Sequence, residues 1–222
     1  MRKLTGAVFQ SLDGVMQAPG GPEEDRSGVF KLGGWSFSYW DESLEQPFGE
    51  VIDADYDLLL GKRTYEIFAA YWPYNQDQPI GAKFQRINKY VLTHSDVPLA
   101  WENSHKIDGE TAADAVARLK QSEGRDLLIQ GSSTLYTPLL AAGLIDRLVL
   151  MTSPVLLGGG KSIYDGLHSS GALRLVDSFV SDKGVIFAAY EPAGDVPLGS
   201  FAATEPSREE LERRSKIVEG AW

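Results

Sequence analysis

Apolar residues in this chain gather in short runs that polar residues hardly interrupt, as in "DLLLG" and "DLLIQG". Strand-like runs occur at Leu4 to Phe9, Tyr56 to Leu60, Tyr90 to Thr93, Leu127 to Ile129 and Leu148 to Thr152. Helix-like stretches lie between them, at Thr64 to Tyr71, Ala82 to Asn88, Thr111 to Ser122 and Thr134 to Ala142. Strands without polar alternation suit a parallel sheet covered on both faces. The alternating order therefore predicts an α/β layer fold with right-handed crossovers.

The pattern changes towards the end. "LRLVDSFVS" and "GVIFAAYE" flank Asp182-Lys183-Gly184 and predict an antiparallel hairpin. From Pro192 to Pro206, "PAGDVPLGSFAATEP" has the composition of a linker. Beyond it, Ser207 and Glu210 have capping-box spacing, and Glu209/Arg213 and Glu212/Lys216 are spaced for ion pairs on a short polar helix. The expected division is a body over residues 1–191 and a linker plus C-terminal helix over 192–222. Leu211, Ile217 and Val218 are too few for an independent core, so this tail is expected to dock on the body or on a partner subunit.

Composition narrows the chemistry. With 222 residues, 43% of them hydrophobic, the chain can bury one full core. No apolar run approaches a membrane span, and Gln10, Ser11 and Asp13 break the opening run where a signal peptide would continue, so the expected address is the cytoplasm. The absence of cysteine excludes disulfides and thiolate chemistry, and His94, His105 and His168 lack the i, i+4 spacing of a helical metal site, so no metal is expected. A formal charge of −10 argues against nucleic-acid backbones as partners while leaving a small anionic ligand open.

"LLGGGKS", Leu157 to Ser162, looks like a phosphate loop, but Val155 stands where a Walker loop needs its first glycine. The dinucleotide fingerprint G-x-G-x-x-G is also absent after the first strand. Two other places carry the parts of an anion site. Tyr56 to Leu60 runs into Gly61-Lys62-Arg63-Thr64, and Leu127 to Ile129 runs into Gln130-Gly131-Ser132-Ser133-Thr134, each followed by a helix. Such a junction offers close backbone approach at glycine and free N–H groups at a helix start. The alternative is that Thr64 and Ser133 or Thr134 only cap their helices.

These residues resemble a known family. "LLLGKRTYEIFAAYWP" is similar to the G-R-x-T-[WY]-E segment of the dihydrofolate reductase superfamily. "LLIQGSSTLYTPLLAAGLIDRLVLMTSPVLLGGGKSIYDGL" and the early "SLDG" resemble its riboflavin-biosynthesis reductase branch, and the likeness spans residues 4 to 191. The resemblance implies a three-layer dihydrofolate reductase-like fold with a mostly parallel central sheet and a C-terminal antiparallel hairpin. It also implies NADPH as cofactor and a homodimer. Carried over by position, Gly61, Lys62, Arg63 and Thr64 lie beside the phosphates, Gly131, Ser132 and Ser133 at the pyrophosphate, and Thr93, His94 and Ser95 near the adenosine phosphate. Arg63 or Lys62 would select NADPH over NADH by pairing with the 2′-phosphate. "LLGGGKS" becomes a strand-end loop in which Lys161 either touches ligand or is solvated.

The reaction itself is harder to place. "GGWSFSYWDESLEQPFGE" offers Trp35, Phe37, Tyr39, Trp40 and Phe48 as a wall for a flat ring, although such a cluster also suits a lid or dimer core. In dihydrofolate reductases an acid on the helix before the G-R-x-T strand holds the pterin; here Asp41, Glu42, Glu45 and Glu50 all lie in that region, with Asp41 preferred because it follows the aromatics. Asp13 is the second catalytic candidate, unless it only shapes an Asp-Gly turn. Neither H-x-E nor P-C-x-x-C is present, so a stand-alone reductase without a zinc deaminase is expected. The leading expectation is an NADPH-dependent reductase of a small pterin-like, pyrimidine or other flat heterocycle. The competing one is a non-catalytic binding module on the same fold.

Overall fold

The computed structural model describes residues 1–201 and 205–220. Eight strands form one sheet in the order β4-β3-β2-β5-β1-β6-β8-β7. In chain order they are β1 (Leu4–Ser11), β2 (Tyr56–Gly61), β3 (Lys89–Leu92), β4 (Ser104–Ile107), β5 (Asp126–Ile129), β6 (Arg147–Ser153), β7 (Leu173–Val180) and β8 (Ile186–Pro192). The six from β4 to β6 pair in parallel. β8 turns back antiparallel onto β6, and β7 closes the sheet as its outer edge.

Burial explains the runs. Every residue of β2 is buried, because helices cover the sheet on both sides. On one face, Tyr65 of α2 (Lys62–Tyr71) and Phe84 of α3 (Pro79–Arg86) pack over Leu58, Leu60 and Val91, with Phe48 of α1 (Glu45–Asp53) against the same cluster. On the other face, Val116 and Leu119 of α4 (Ala112–Gln121) and Tyr136 and Leu139 of α5 (Ser133–Ala141) pack over Leu4, Val8 and Leu59. The expected α/β fold with a three-layer arrangement, a mostly parallel sheet and a C-terminal hairpin is the fold observed.

The tail has α6 (Arg208–Val218), capped by Ser207 through the Glu210 N–H. Its ion pairs differ from those expected: Glu210 gathers Arg213 and Arg214, and Arg208 pairs with Glu212. Shared use of one carboxylate replaces the two separate pairs. Part of the expected linker, residues 202–204, and residues 221–222 of the tail lie outside the described residues. No helix among the described residues is long and apolar enough to cross a membrane.

Two elements had no signal among the runs. β4, "SHKI", is a polar edge strand with its middle residues exposed, so hydrophobicity does not mark it. α1 follows a short 3-10 turn at Glu42–Leu44 within the aromatic-rich segment.

Candidate functional site

The connection after β2 leaves on the α1–α3 face, and that after β5 leaves on the α4–α5 face, although β2 and β5 are neighbours in the sheet. A crevice must open where adjacent connections part, outside the carboxyl ends of the strands. A cleft of about 400 Å³ lies there. Gly61, Lys62, Arg63 and Thr64 line it from the first junction, and Gly131, Ser132 and Ser133 from the second.

The two junctions are physically joined. Ser132 Oγ accepts the Gly61 N–H at 2.7 Å and donates to Thr64 Oγ1 at 2.8 Å. Gly131 has φ +102°, and a Cβ there would stand 3.1 Å from Thr64 Cγ2, so glycine permits this close approach. Ser132 itself adopts a left-handed backbone (φ 74°, ψ 70°), an uncommon state for a residue with a side chain.

Neither helix is capped by its N-cap side chain. Gly61 has none, and Ser132 directs its hydroxyl to Thr64. By contrast, Thr111 caps α4 and Ser207 caps α6 away from the cleft. Thr64, Ser133 and Thr134, the alternative caps, form no such bond among the described residues. The first N–H groups of α2 and α5 therefore face the cleft with the positive ends of their helix dipoles, an arrangement that suits an anion. Lys62 is paired with Glu66 at 2.8 Å, whereas Arg63 has no ion pair among the described residues.

The opposite wall comes from the loops after β1 and β6. An antiparallel bridge between Val15 and Ser162 zips them together, and Met16 N–H donates to Lys161 O at 2.8 Å. Gly160 sits at φ +138°, and a Cβ there would lie 2.5 Å from Val15 Cγ1. This is what "LLGGGKS" does: its last glycine, Gly160, allows the two loops to meet. Lys161 is neither solvated nor free; it lines the cleft, ion-paired with Asp25 and hydrogen-bonded to Ser27 Oγ at 2.6 Å.

Aromatic side chains complete the walls. Phe37 and Trp40, expected in this role, line the cleft together with Phe9, Phe68 and Trp72. Trp35 instead is buried and donates its indole N–H to Gln17 O at 2.9 Å, while Phe48 packs behind Phe9 and Trp40. Tyr39 packs against the core.

The two carboxylates named as catalytic candidates are not brought to the cleft lining. Asp41 caps the 3-10 turn through the Ser43 N–H and accepts the Lys183 N–H at 2.9 Å, tying the aromatic segment to the β7–β8 turn. The Ser43 hydroxyl, aided by the Lys183 amide, lowers its pKa despite the opposing desolvation. Asp13 accepts from Ser11 Oγ and from the Leu157 and Gly158 amides, which brings its pKa down to about 2. It fastens the β1 loop to the glycine loop. Glu42, Glu45 and Glu50 are exposed and also outside the lining. Thr93, His94 and Ser95 follow β3 at the same end of the sheet, one strand beyond β2, but outside the cleft lining.

The carboxylates that do line the cleft are Glu24 and Asp25, in a loop that no periodicity marks. Glu24 accepts the Gly20 and Gly21 N–H groups at 2.7 and 3.2 Å, yet burial dominates and raises its pKa. Burial also raises that of Asp25, but hydrogen bonds from Lys161 and Ser27 outweigh it and the net shift is downward. The signal in the sequence was the acidic run "PEED" close after "SLDG", which only the fold places against the cleft.

Comparison with known proteins agrees with this fold. The family model of the RibD C-terminal domain matches residues 2–187, and the chain belongs to that family. It is 24% identical over 137 residues to the uncharacterized protein YyaP of Bacillus subtilis, covering 60% of this chain and 72% of that one. Its fold is shared with the diaminohydroxyphosphoribosylaminopyrimidine deaminase/5-amino-6-(5-phosphoribosylamino)uracil reductase of Thermotoga maritima (14% identity, TM-score 0.57, 86% of this chain and 57% of that one). It is likewise shared with the dihydrofolate reductase of Enterococcus faecalis complexed with NADP(H) (18% identity, TM-score 0.53, 86% and 96%).

Proposed function

We propose that this member of the RibD C-terminal domain family is an NADPH-dependent reductase that transfers a hydride to a small flat heterocycle. One observation carries the reading: two helix N-termini without N-cap side-chain bonds converge from opposite faces of the sheet on an aromatic-walled cleft. A pyrophosphate would suit the space between them, because N–H groups and positive helix-dipole ends on both sides would meet its charge.

In this reading the α2 and α5 amides hold the pyrophosphate, and Ser132 keeps their spacing. Arg63 pairs with a 2′-phosphate, which a guanidinium fork suits. Thr93, His94 and Ser95 extend the site towards the adenosine end. NADPH, when bound, supplies the hydride. Phe9, Trp40 and Phe68 exclude water and orient the acceptor ring. Asp25 is committed to Lys161, leaving Glu24 as the carboxylate that can hold a ring N–H or hand a proton to the ring. A cytoplasmic homodimer belongs to the same reading, supported by the edge strand β7, where Leu173, Leu175 and Val180 are exposed.

The test is NADPH oxidation by the purified chain across a panel of dihydropterins, aminopyrimidines and related flat rings. Turnover that falls at least tenfold in Glu24→Gln supports the reading. Absence of turnover with every ring, while NADPH and the rings both bind, would favour a binding module.

A further inference from the structure

The cleft is electrically lopsided. Among the described residues lining it, the cations are Lys62, Arg63 and Lys161. The first two stand on α2, at the junction side. Across the cleft, in the walls built by the β1 and β6 loops, stand Glu24, Asp25 and Lys161. Lys161 is already neutralised: its ammonium is paired with Asp25 and also donates to Ser27 Oγ, with side chains only 26% and 13% exposed for Lys161 and Asp25. Glu24 then remains as an uncompensated carboxylate, fixed by the Gly20 and Gly21 amides.

Such a wall repels one class of acceptor and attracts another. A phosphate placed there meets two carboxylates and no free cation, in a confined cleft where charges are poorly screened. A ring bearing amino or amidine-type N–H groups instead meets a carboxyl acceptor held in place by the Gly20 and Gly21 amides. The Thermotoga relative is named for a substrate carrying a phosphoribosyl group. From the placement of Glu24, Asp25 and Lys161 we infer that this protein takes a phosphate-free heterocycle, neutral or cationic and rich in N–H donors, and selects against phosphorylated forms of the same ring.

This inference rests on the reductase reading, and the experiment separates the two. NADPH is first titrated into the full-length protein by nicotinamide fluorescence. The NADP⁺-loaded protein is then titrated calorimetrically with 5-amino-6-(ribosylamino)uracil and with its 5′-phosphate, a pair that differs only in the phosphate. Wild type is expected to bind the phosphate-free member at least tenfold more tightly. In Glu24→Gln, and independently in the Glu24→Gln/Asp25→Asn double variant that releases Lys161, that preference is expected to shrink at least threefold. Equal or tighter binding of the phosphorylated member by wild type overturns the inference, as does binding of neither member by protein that holds NADP⁺. A preference unchanged in both variants also overturns it. Loss of NADPH binding at the first step instead removes the reductase reading on which it stands.

Discussion

The Ser132 hydroxyl accepts the Gly61 N–H at 2.7 Å and so joins two strand–helix junctions that are 71 residues apart in sequence. The same hydroxyl donates to Thr64 in the first turn of α2, and the Ser132 backbone is left-handed. One side chain thus sets the gap between two helix N-termini.

Ser132→Ala removes both bonds and leaves the Gly61 amide without its partner. Loss of a partly buried hydrogen bond costs about 1–2 kcal/mol. The expected result is a small drop in melting temperature and roughly tenfold weaker NADPH binding, because the spacing of the amides loosens. Thermal denaturation with and without NADPH checks both parts.

Asp13 gives a pH signature. Its carboxylate is held at a pKa of about 2, below the ordinary 3.8, chiefly by the Ser11 hydroxyl and then by the Gly158 and Leu157 amides. A group lowered in the folded state contributes stability that is complete above its unfolded value and disappears as pH falls through the folded one. The stability advantage of wild type over Asp13→Asn should therefore be constant from neutral pH to about pH 5 and vanish near pH 2. Melting curves of both proteins across that range test it.

Lys89 gives the opposite window. It is fully buried, donates to Phe84 O at 2.8 Å and lies over the Trp101 ring; burial pushes its pKa from 10.5 down to about 8. Between those values the unfolded chain carries more protons than the folded one, so stability rises with pH. Relative to Lys89→Met, wild type should gain stability from pH 8 to about 10.5 and hold a constant difference below pH 8. Denaturant titrations at several alkaline pH values measure the gain.

Gly160→Ala forces a side chain into φ +138° and brings its Cβ to 2.5 Å from Val15 Cγ1. A cost of about 1–3 kcal/mol is expected from the backbone alone. Because the β1 and β6 loops form the acidic wall, the variant should lose heterocycle affinity more than NADPH affinity. Parallel titrations of both ligands decide.

Much of this was legible in the chain. Gly61 to Thr64 and Gly131 to Ser133 read as paired junctions because a glycine and hydroxyls follow an apolar strand, and the sheet sets them side by side at the point where neighbouring connections diverge. The hairpin was visible because β-rich runs flank Asp182-Lys183-Gly184. The acid was not. Asp41 and Asp13 look catalytic by proximity to aromatics and to "SLDG", yet the fold spends both on loop anchoring, and only long-range contacts reveal that. Glu24 and Asp25 sit in a loop without period, brought to the cleft by the Val15–Ser162 bridge and by Lys161, which lie more than 130 residues away for the latter pair. β4 stayed hidden because an edge strand needs no apolar run.

The most direct test of the pyrophosphate site is a fluorescence titration of NADPH and NADH into wild type and Arg63→Ala. The account predicts saturable NADPH binding by wild type, weaker NADH binding, and a loss of about tenfold or more for NADPH alone in the variant, since Arg63 lines the cleft and has no ion pair among the described residues. Failure of both nucleotides to bind wild type would contradict it and reduce the two junctions to helix starts without a ligand.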